Sequence, residues 1–92
     1  MNQVKMYKTA GCPYCDSALR LLDRKGVHDI EKINVDDLPD ERVKMMEITG
    51  RRTVPQIFIG ERYVGGYDEL VKLDRAGELD GLLGIVTPTG QV

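Results

Sequence analysis

The spacing of apolar residues along the chain predicts short strands that alternate with amphipathic helices. Residues 4–7 alternate apolar and polar side chains, which is typical of a half-buried strand. Between residues 13 and 25 alanine and leucine recur at helical spacing, and Gly26 supplies a stop. The predicted elements, in chain order, are a strand over 4–7, a helix over 13–25, a strand over 30–35, a helix over 39–48, strands over 56–59 and 62–64, a helix over 68–76, and a helical extension or separate helix over 79–83.

This order of elements, β-α-β-α-β-β-α, predicts an α/β protein with a mixed four-stranded sheet and helices on both faces. The first strand–helix–strand unit is expected to cross over right-handed, which makes its two strands parallel. Gly60-Glu61 suits a two-residue hairpin loop, so the last two strands are expected to be antiparallel. We expect residues 1–84 to form one domain and residues 85–92 to form a loosely ordered C-terminal tail.

Composition and charge narrow the class of protein. The chain has 92 residues, of which 41% are hydrophobic and 30% charged, which indicates one globular domain. Its net charge of −2 lacks the basic excess of a general nucleic-acid binder. Neither a secretory signal pattern nor an apolar run of roughly 18 residues is evident. We therefore expect a cytoplasmic protein with no nucleic-acid or membrane partner.

The only two cysteines, Cys12 and Cys15, stand directly after the first predicted strand and at the start of a helix. A CxxC motif beside a βαβ pattern in a cytosolic chain indicates a thioredoxin-like redox site. Pro13 suits the first helical position, so Cys12 is expected at the N-cap, where helix amides favour its thiolate. Cys15 lies one turn further on and deeper. The spacing thus predicts that Cys12 attacks a disulfide and Cys15 resolves the intermediate.

Other uses of the cysteine pair remain as alternatives. A zinc site needs two further ligands, and the chain offers only His28, which is expected in an exposed loop. The helical spacing of three apolar residues indicates a core face rather than a soft-metal site; these residues are Met45, Met46 and Ile48. Buried structural cysteines are a second alternative, and a permanent disulfide is disfavoured in a reducing compartment. We expect no metal and no tightly bound cofactor.

A second motif is Thr53-Val54-Pro55, which precedes the third strand. A cis bond before Pro55 would turn the chain and leave the Val54 amide and carbonyl free to pair with an extended peptide. The alternative is an ordinary proline at the start of a strand. The residues alone favour that alternative, and they do not indicate which isomer is present.

A third motif is Gly65-Gly66-Tyr67-Asp68, which precedes the third predicted helix. Two glycines permit close approach to the backbone, and the free amides of Tyr67 and Asp68 can bind an anion. The alternative, favoured by these residues taken alone, is that Asp68 serves only as the N-cap.

Taken together, the three motifs resemble those of the glutaredoxin family. CPYC at 12–15 is similar to the family's dithiol active site, TVP at 53–55 to its substrate-side loop, and GGYD at 65–68 to its Gly-Gly-x-Asp segment. Their order and separations also match, over about residues 3–83, as in the short bacterial-type form. The resemblance implies a thioredoxin fold, glutathione as cosubstrate, and reduction of protein–glutathione mixed disulfides and protein disulfides.

The resemblance also implies roles for individual residues. Cys12 would form a mixed disulfide with glutathione, and Cys15 would resolve it. The implied glutathione-binding residues are Tyr14, Thr53, Val54, Pro55, Gly66, Tyr67 and Asp68, together with Arg42 towards the glycyl carboxylate. Many glutaredoxins carry a basic residue three positions before the nucleophile, where this chain has Thr9. Lys8 is a candidate for that role, Arg51 and Arg52 could compensate, and solvated side chains are the alternative.

Two rival functions follow from related proteins. A redoxin reduced by thioredoxin reductase lacks a glutathione site, so the TVP and GGYD motifs disfavour it. An iron–sulfur carrier would share a cluster between two chains, but such carriers typically have serine at the second cysteine, and Pro13 is thought to hinder cluster binding. The expected partners are glutathione and disulfide-bearing or glutathionylated proteins, with ribonucleotide reductase as one candidate. The expected state is a monomer.

Overall fold

The structure is a computed structural model that describes residues 2–85, and it confirms the predicted order of elements. Each observed boundary lies within one residue of the predicted one, and residues 79–83 form a separate helix. The elements are β1 (Val4–Lys8), α1 (Pro13–Arg24), β2 (Ile30–Asn34), α2 (Pro39–Thr49), β3 (Gln56–Ile59), β4 (Arg62–Gly65), α3 (Tyr67–Arg75) and α4 (Leu79–Leu83). Of the tail expected over 85–92, only Ile85 lies within the described residues.

The four strands form one mixed sheet in the order β2-β1-β3-β4. β1 is parallel to β2 and antiparallel to β3, and β3 is antiparallel to β4. This is the predicted α/β thioredoxin-type sheet. The parallel pair arises because α1 returns the chain to the same end of the sheet, whereas Gly60, with φ of 61°, closes the tight β3–β4 hairpin.

Helices cover both faces of the sheet, as predicted. Alternate residues of β1 point to opposite faces, so Met6 joins the core beneath α1, α3 and α4 while Tyr7 joins a smaller cluster beneath α2. Met45 of α2 is fully buried in that smaller cluster. The prediction that Ile48 belongs to the core is wrong: it is 54% exposed, since the cluster beneath α2 does not extend to it.

Sheet topology brings the three sequence motifs to one edge of the molecule. Tyr7, near the end of β1, lies opposite Gln56 at the start of β3. Ile57 of β3 in turn lies opposite Gly65 at the end of β4. The segments that leave β1, enter β3 and leave β4 therefore meet, and these segments carry CPYC, TVP and GGYD.

Candidate active site

Cys12 occupies the N-cap of α1, as predicted. Its backbone is extended, with φ of −98° and ψ of 106°, and Pro13 takes the first helical position. The Cys15 N–H donates to the Cys12 Sγ at 3.2 Å, so a helix amide points at this sulfur. Cys12 is partly exposed, whereas Cys15 is fully buried, and both are free thiols. The helix start thus presents one reachable sulfur and keeps the second behind it.

Burial makes Cys15 a poor acid. It raises the pKa of the Cys15 thiol to about 12, with further contributions from a hydrogen bond to the Cys12 side chain and from the charge of Cys12. A backbone hydrogen bond from Thr9 and the positive charge of Lys8 lower this pKa but do not offset burial. Because Cys15 keeps its proton throughout the neutral range, Cys12 is the cysteine placed to act as the nucleophile.

Alkylation should reveal this difference between the two thiols. Iodoacetamide at pH 7 to 9 is expected to modify Cys12 at least about 100-fold faster than Cys15, because Cys15 is both buried and protonated below pH 12. Peptide mapping by mass spectrometry would locate the adducts. Cys12→Ser should take no label when folded and one label in denaturant. Equal labelling of the two cysteines in the native protein would contradict the assignment.

The TVP segment lies beside the Cys12 sulfur. The Val54–Pro55 bond is cis, and the Cys12 thiol donates to the Val54 carbonyl at 3.8 Å. Buried Gln56 holds the segment: its side-chain amide donates to the Thr53 carbonyl at 2.9 Å. The Tyr63 hydroxyl in turn donates to the Gln56 side-chain oxygen at 2.5 Å. Gln56 is not among the site residues predicted from the sequence, although a polar residue directly after Pro55, within a buried strand, is a signal for such a role.

The GGYD segment forms the N-terminus of α3. The helix begins at Tyr67 with Gly66 as its N-cap, so the alternative that Asp68 is the N-cap is wrong. Gly66 has no side chain to cap the helix, and its own N–H donates to the Glu69 Oε1 at 2.6 Å. Arg51 donates to the same oxygen at 3.0 Å. The Gly66 N–H first, and then Arg51, hold the pKa of the Glu69 carboxyl below its usual value.

A groove of about 290 Å³ connects the three motifs, close to the lower end of the range for small-molecule sites, about 300–1,000 Å³. Seven residues implied by the sequence line it: Tyr14, Thr53, Val54, Pro55, Gly66, Tyr67 and Asp68. Arg51, Gln56 and Glu69 also line it. The rings of Tyr14 and Tyr67 lie 6.4 Å apart, and Tyr14 is 64% exposed. The groove is therefore open and partly aromatic.

Of the basic residues named from the sequence, Arg51 lines the groove, whereas Lys8, Arg42 and Arg52 do not. Arg42 does not line it; its guanidinium donates to the Arg52 carbonyl and to Asp36, each at 3.2 Å, and so ties α2 to the segment before Thr53. Lys8 acts electrostatically on Cys15. Arg51 is the basic residue of the groove lining, and the sequence offered it only as a compensating charge.

Within residues 2–85, no group of three or more His, Cys, Asp or Glu side chains is placed to hold a metal ion. His28 is exposed, as predicted, and hydrogen-bonds Asp23. None of the helices over the same residues is sufficiently long and apolar to span a bilayer.

Comparisons with known proteins agree with the geometry. The sequence profile of the Glutaredoxin family matches residues 4–64. A glutaredoxin of Neisseria meningitidis serogroup A is 49% identical over 83 residues, which cover 90% of this chain and 98% of that relative.

Solved structures show the same similarity in three dimensions. The solution structure of a glutaredoxin from Brucella melitensis is 44% identical with a TM-score of 0.79, covering 95% of this chain and 96% of that one. The crystal structure of a buckwheat glutaredoxin–glutathione complex is 30% identical with a TM-score of 0.82, covering 90% of this chain and 77% of that one.

Proposed function

The chain belongs to the glutaredoxin family, whose members are glutathione-dependent thiol oxidoreductases, and we propose that it reduces protein–glutathione mixed disulfides and protein disulfides through Cys12 and Cys15. One observation carries the proposal. The partly exposed Cys12 sulfur, at a helix N-terminus, lies 3.8 Å from the Val54 carbonyl on the wall of a groove that ends at the free amides of α3.

The first step is attack by the Cys12 thiolate on a sulfur of the substrate disulfide. A bond forms between the Cys12 sulfur and the glutathione sulfur, the substrate S–S bond breaks, and the released protein thiolate takes up a proton. The α1 N-terminus supports this step, because the Cys15 N–H points at the Cys12 sulfur and stabilises negative charge there. Substrate access follows from the exposure of Cys12.

Glutathione is proposed to lie along the groove. Its cysteinyl part would run beside Val54, whose backbone can pair with an extended peptide. Its γ-glutamyl carboxylate would bind the amides of Tyr67 and Asp68, because helix N-terminal amides lack intrahelical acceptors and attract anions. Tyr14 lines the groove between these points. The buckwheat relative, whose structure is described as a glutathione complex, supports a ligand of this chemistry.

The mixed disulfide on Cys12 can be resolved by two routes. A second glutathione can attack it and leave as glutathione disulfide, which returns the Cys12 thiol. Cys15 can instead form a bond to the Cys12 sulfur and expel glutathione as a thiolate that takes up a proton; two further glutathione molecules then reduce this disulfide. The second route becomes easier once Cys12 is bonded to glutathione, because the negative charge of Cys12 then no longer raises the pKa of Cys15.

The choice of electron donor tests the proposal. With glutathione and glutathione reductase as the only electron source, turnover of a small glutathione mixed disulfide is expected to be at least about tenfold faster than with thioredoxin reductase. Glutathione can pair with the anion-binding groups at the α3 N-terminus, whereas thioredoxin reductase would leave them unpaired. NADPH consumption measures both rates, with Cys12→Ser as the background. Equal or faster turnover with thioredoxin reductase would support the rival redoxin.

We also propose that the protein is cytoplasmic. A dithiol that works as a reductant needs a reducing compartment, and the relatives of this chain include bacterial glutaredoxins. Disulfide-bearing and glutathionylated proteins are the proposed clients, with ribonucleotide reductase as one candidate, and the proposed state is a monomer. The open groove suits large substrates, since it leaves Cys12 accessible from outside.

A further inference from the structure

We infer that Arg51 is a positioning residue for glutathione, which acts by neutralising Glu69 at the N-terminus of α3. The inference rests on the proposed function and identifies a residue pair that sets the charge at the γ-glutamyl end of the site. Glu69 places a carboxylate where an anionic ligand is expected to bind. Arg51 is the cation that hydrogen-bonds this carboxylate, and Lys72 adds a smaller electrostatic effect.

The pair shares one oxygen atom. Glu69 Oε1 accepts the Gly66 N–H at 2.6 Å and the Arg51 guanidinium at 3.0 Å. Both side chains line the groove together with Tyr67 and Asp68. The carboxylate therefore accepts the hydrogen bond of one backbone N–H at the helix start, that of Gly66, and leaves the N–H groups of Tyr67 and Asp68 for a ligand.

An uncompensated carboxylate at this place would oppose the ligand. A helix N-terminus carries a partial positive charge equivalent to roughly half an elementary charge. A full negative charge on Glu69 would exceed it, and a second carboxylate arriving from glutathione would be repelled. With Arg51 in contact, the pair is neutral, and the helix amides again present a positive potential.

Arg51 reaches Glu69 because the end of α2 is fixed. The Thr49 hydroxyl donates to the Met45 carbonyl at 2.8 Å and accepts the Arg51 N–H at 3.0 Å. From this turn the Arg51 side chain contacts Glu69 of α3, which lies 18 residues further along the chain. The Arg51 side chain remains 46% exposed, so its ion pair with Glu69 contributes little to stability by itself. A role in ligand binding is consistent with a pair of this kind.

A direct contact between Arg51 and a glutathione carboxylate would give the same single-variant effect, and a double variant separates the two. If Arg51 acts by neutralising Glu69, removing both charges restores binding. If Arg51 holds the ligand itself, the double variant stays as weak as the single one. Glu69→Gln keeps an amide oxygen that can accept the Gly66 N–H, so the helix cap is preserved in this comparison.

The test measures KM for glutathione in mixed-disulfide turnover and, independently, the Kd of non-reactive S-methylglutathione. Arg51→Gln is expected to raise both about five- to tenfold with kcat within about twofold of the parent. Arg51→Lys should retain most of the affinity. Glu69→Gln should lower both constants, because Arg51 then adds an uncompensated positive charge beside the carboxylate of the ligand. The double variant Arg51→Gln/Glu69→Gln should return to within about twofold of the parent.

Lys44→Gln is the matched control, since Lys44 forms an exposed ion pair with Glu41 at 3.1 Å outside the groove. It should leave KM and Kd unchanged. The inference is overturned if Arg51→Gln has no effect on either constant, or if the double variant remains as weak as Arg51→Gln. A parent protein with no glutathione-dependent turnover would overturn the proposed function instead. Chemical denaturation of each variant identifies an effect that arises from unfolding.

Discussion

Replacing Cys12 with serine is expected to reduce glutathione-dependent turnover of a small mixed disulfide by at least about 100-fold, whereas Cys15→Ser should retain turnover within about threefold of the parent. Each substitution replaces one sulfur atom by oxygen at the start of α1. Their effects differ because the Cys12 sulfur is partly exposed, whereas burial keeps Cys15 out of reach and raises its pKa to about 12.

The asymmetry follows from the start of α1. Cys12 is the N-cap and is partly exposed, and its sulfur accepts the Cys15 N–H at 3.2 Å, so this sulfur is reachable and faces the amides of the helix start. A serine hydroxyl in its place does not ionise at neutral pH and forms no mixed disulfide. Cys15 is buried, and its pKa of about 12 keeps it protonated at neutral pH. A second glutathione can then resolve the intermediate in place of Cys15.

The measurement uses two substrates. A small glutathione mixed disulfide should need only Cys12, while a protein disulfide should need both cysteines, so Cys15→Ser should lose activity on the second substrate alone. Thermal unfolding of both variants provides the control for folding. Retained activity of Cys12→Ser on the small substrate would mean that the assigned roles are reversed.

Most of the fold could be predicted because its local signals agree with its tertiary structure. Helix α1 begins at Pro13 and is followed by Gly26, two residues that favour a helix start and a helix stop. The β3–β4 hairpin loop has glycine at position 60, where the backbone φ is positive. The βαβ crossover rule then determines which strands are parallel. The fold is predictable from the sequence because the local conformational preferences of these residues agree with the tertiary structure.

Less of the site could be predicted, since its missing parts depend on contacts between distant residues. Cys12 and Val54 are recognisable as parts of motifs, but nothing local shows that Arg51 meets Glu69 across 18 residues. The isomer of the Val54–Pro55 bond is likewise set by tertiary structure, as is the burial of Gln56. Sequence patterns therefore identify the candidate reacting groups, whereas the side chains proposed to position them become evident only from the tertiary structure.

Gly65→Ala is expected to destabilise the protein by about 2–4 kcal/mol. Gly65 has a backbone φ of 117°, a conformation that residues other than glycine rarely adopt. A Cβ there would lie 2.6 Å from the Glu69 Oε1 and 3.0 Å from its Cγ, so the Glu69 side chain would have to leave its present position. The hydrogen bond from Gly66 and the contact with Arg51 would be lost together.

The adjacent glycine supplies the control for this prediction. Gly66 has φ of −92° and ψ of −164°, which any residue adopts, and a Cβ there would lie no nearer than 3.4 Å to its surroundings. Gly66→Ala should therefore cost less than about 1 kcal/mol. Urea denaturation measures both losses, and Gly65→Ala should lower the melting temperature by about 10 °C or more. Equal destabilisation by the two alanines would contradict the view that the backbone at Gly65 and its contact with Glu69 shape the α3 N-terminus.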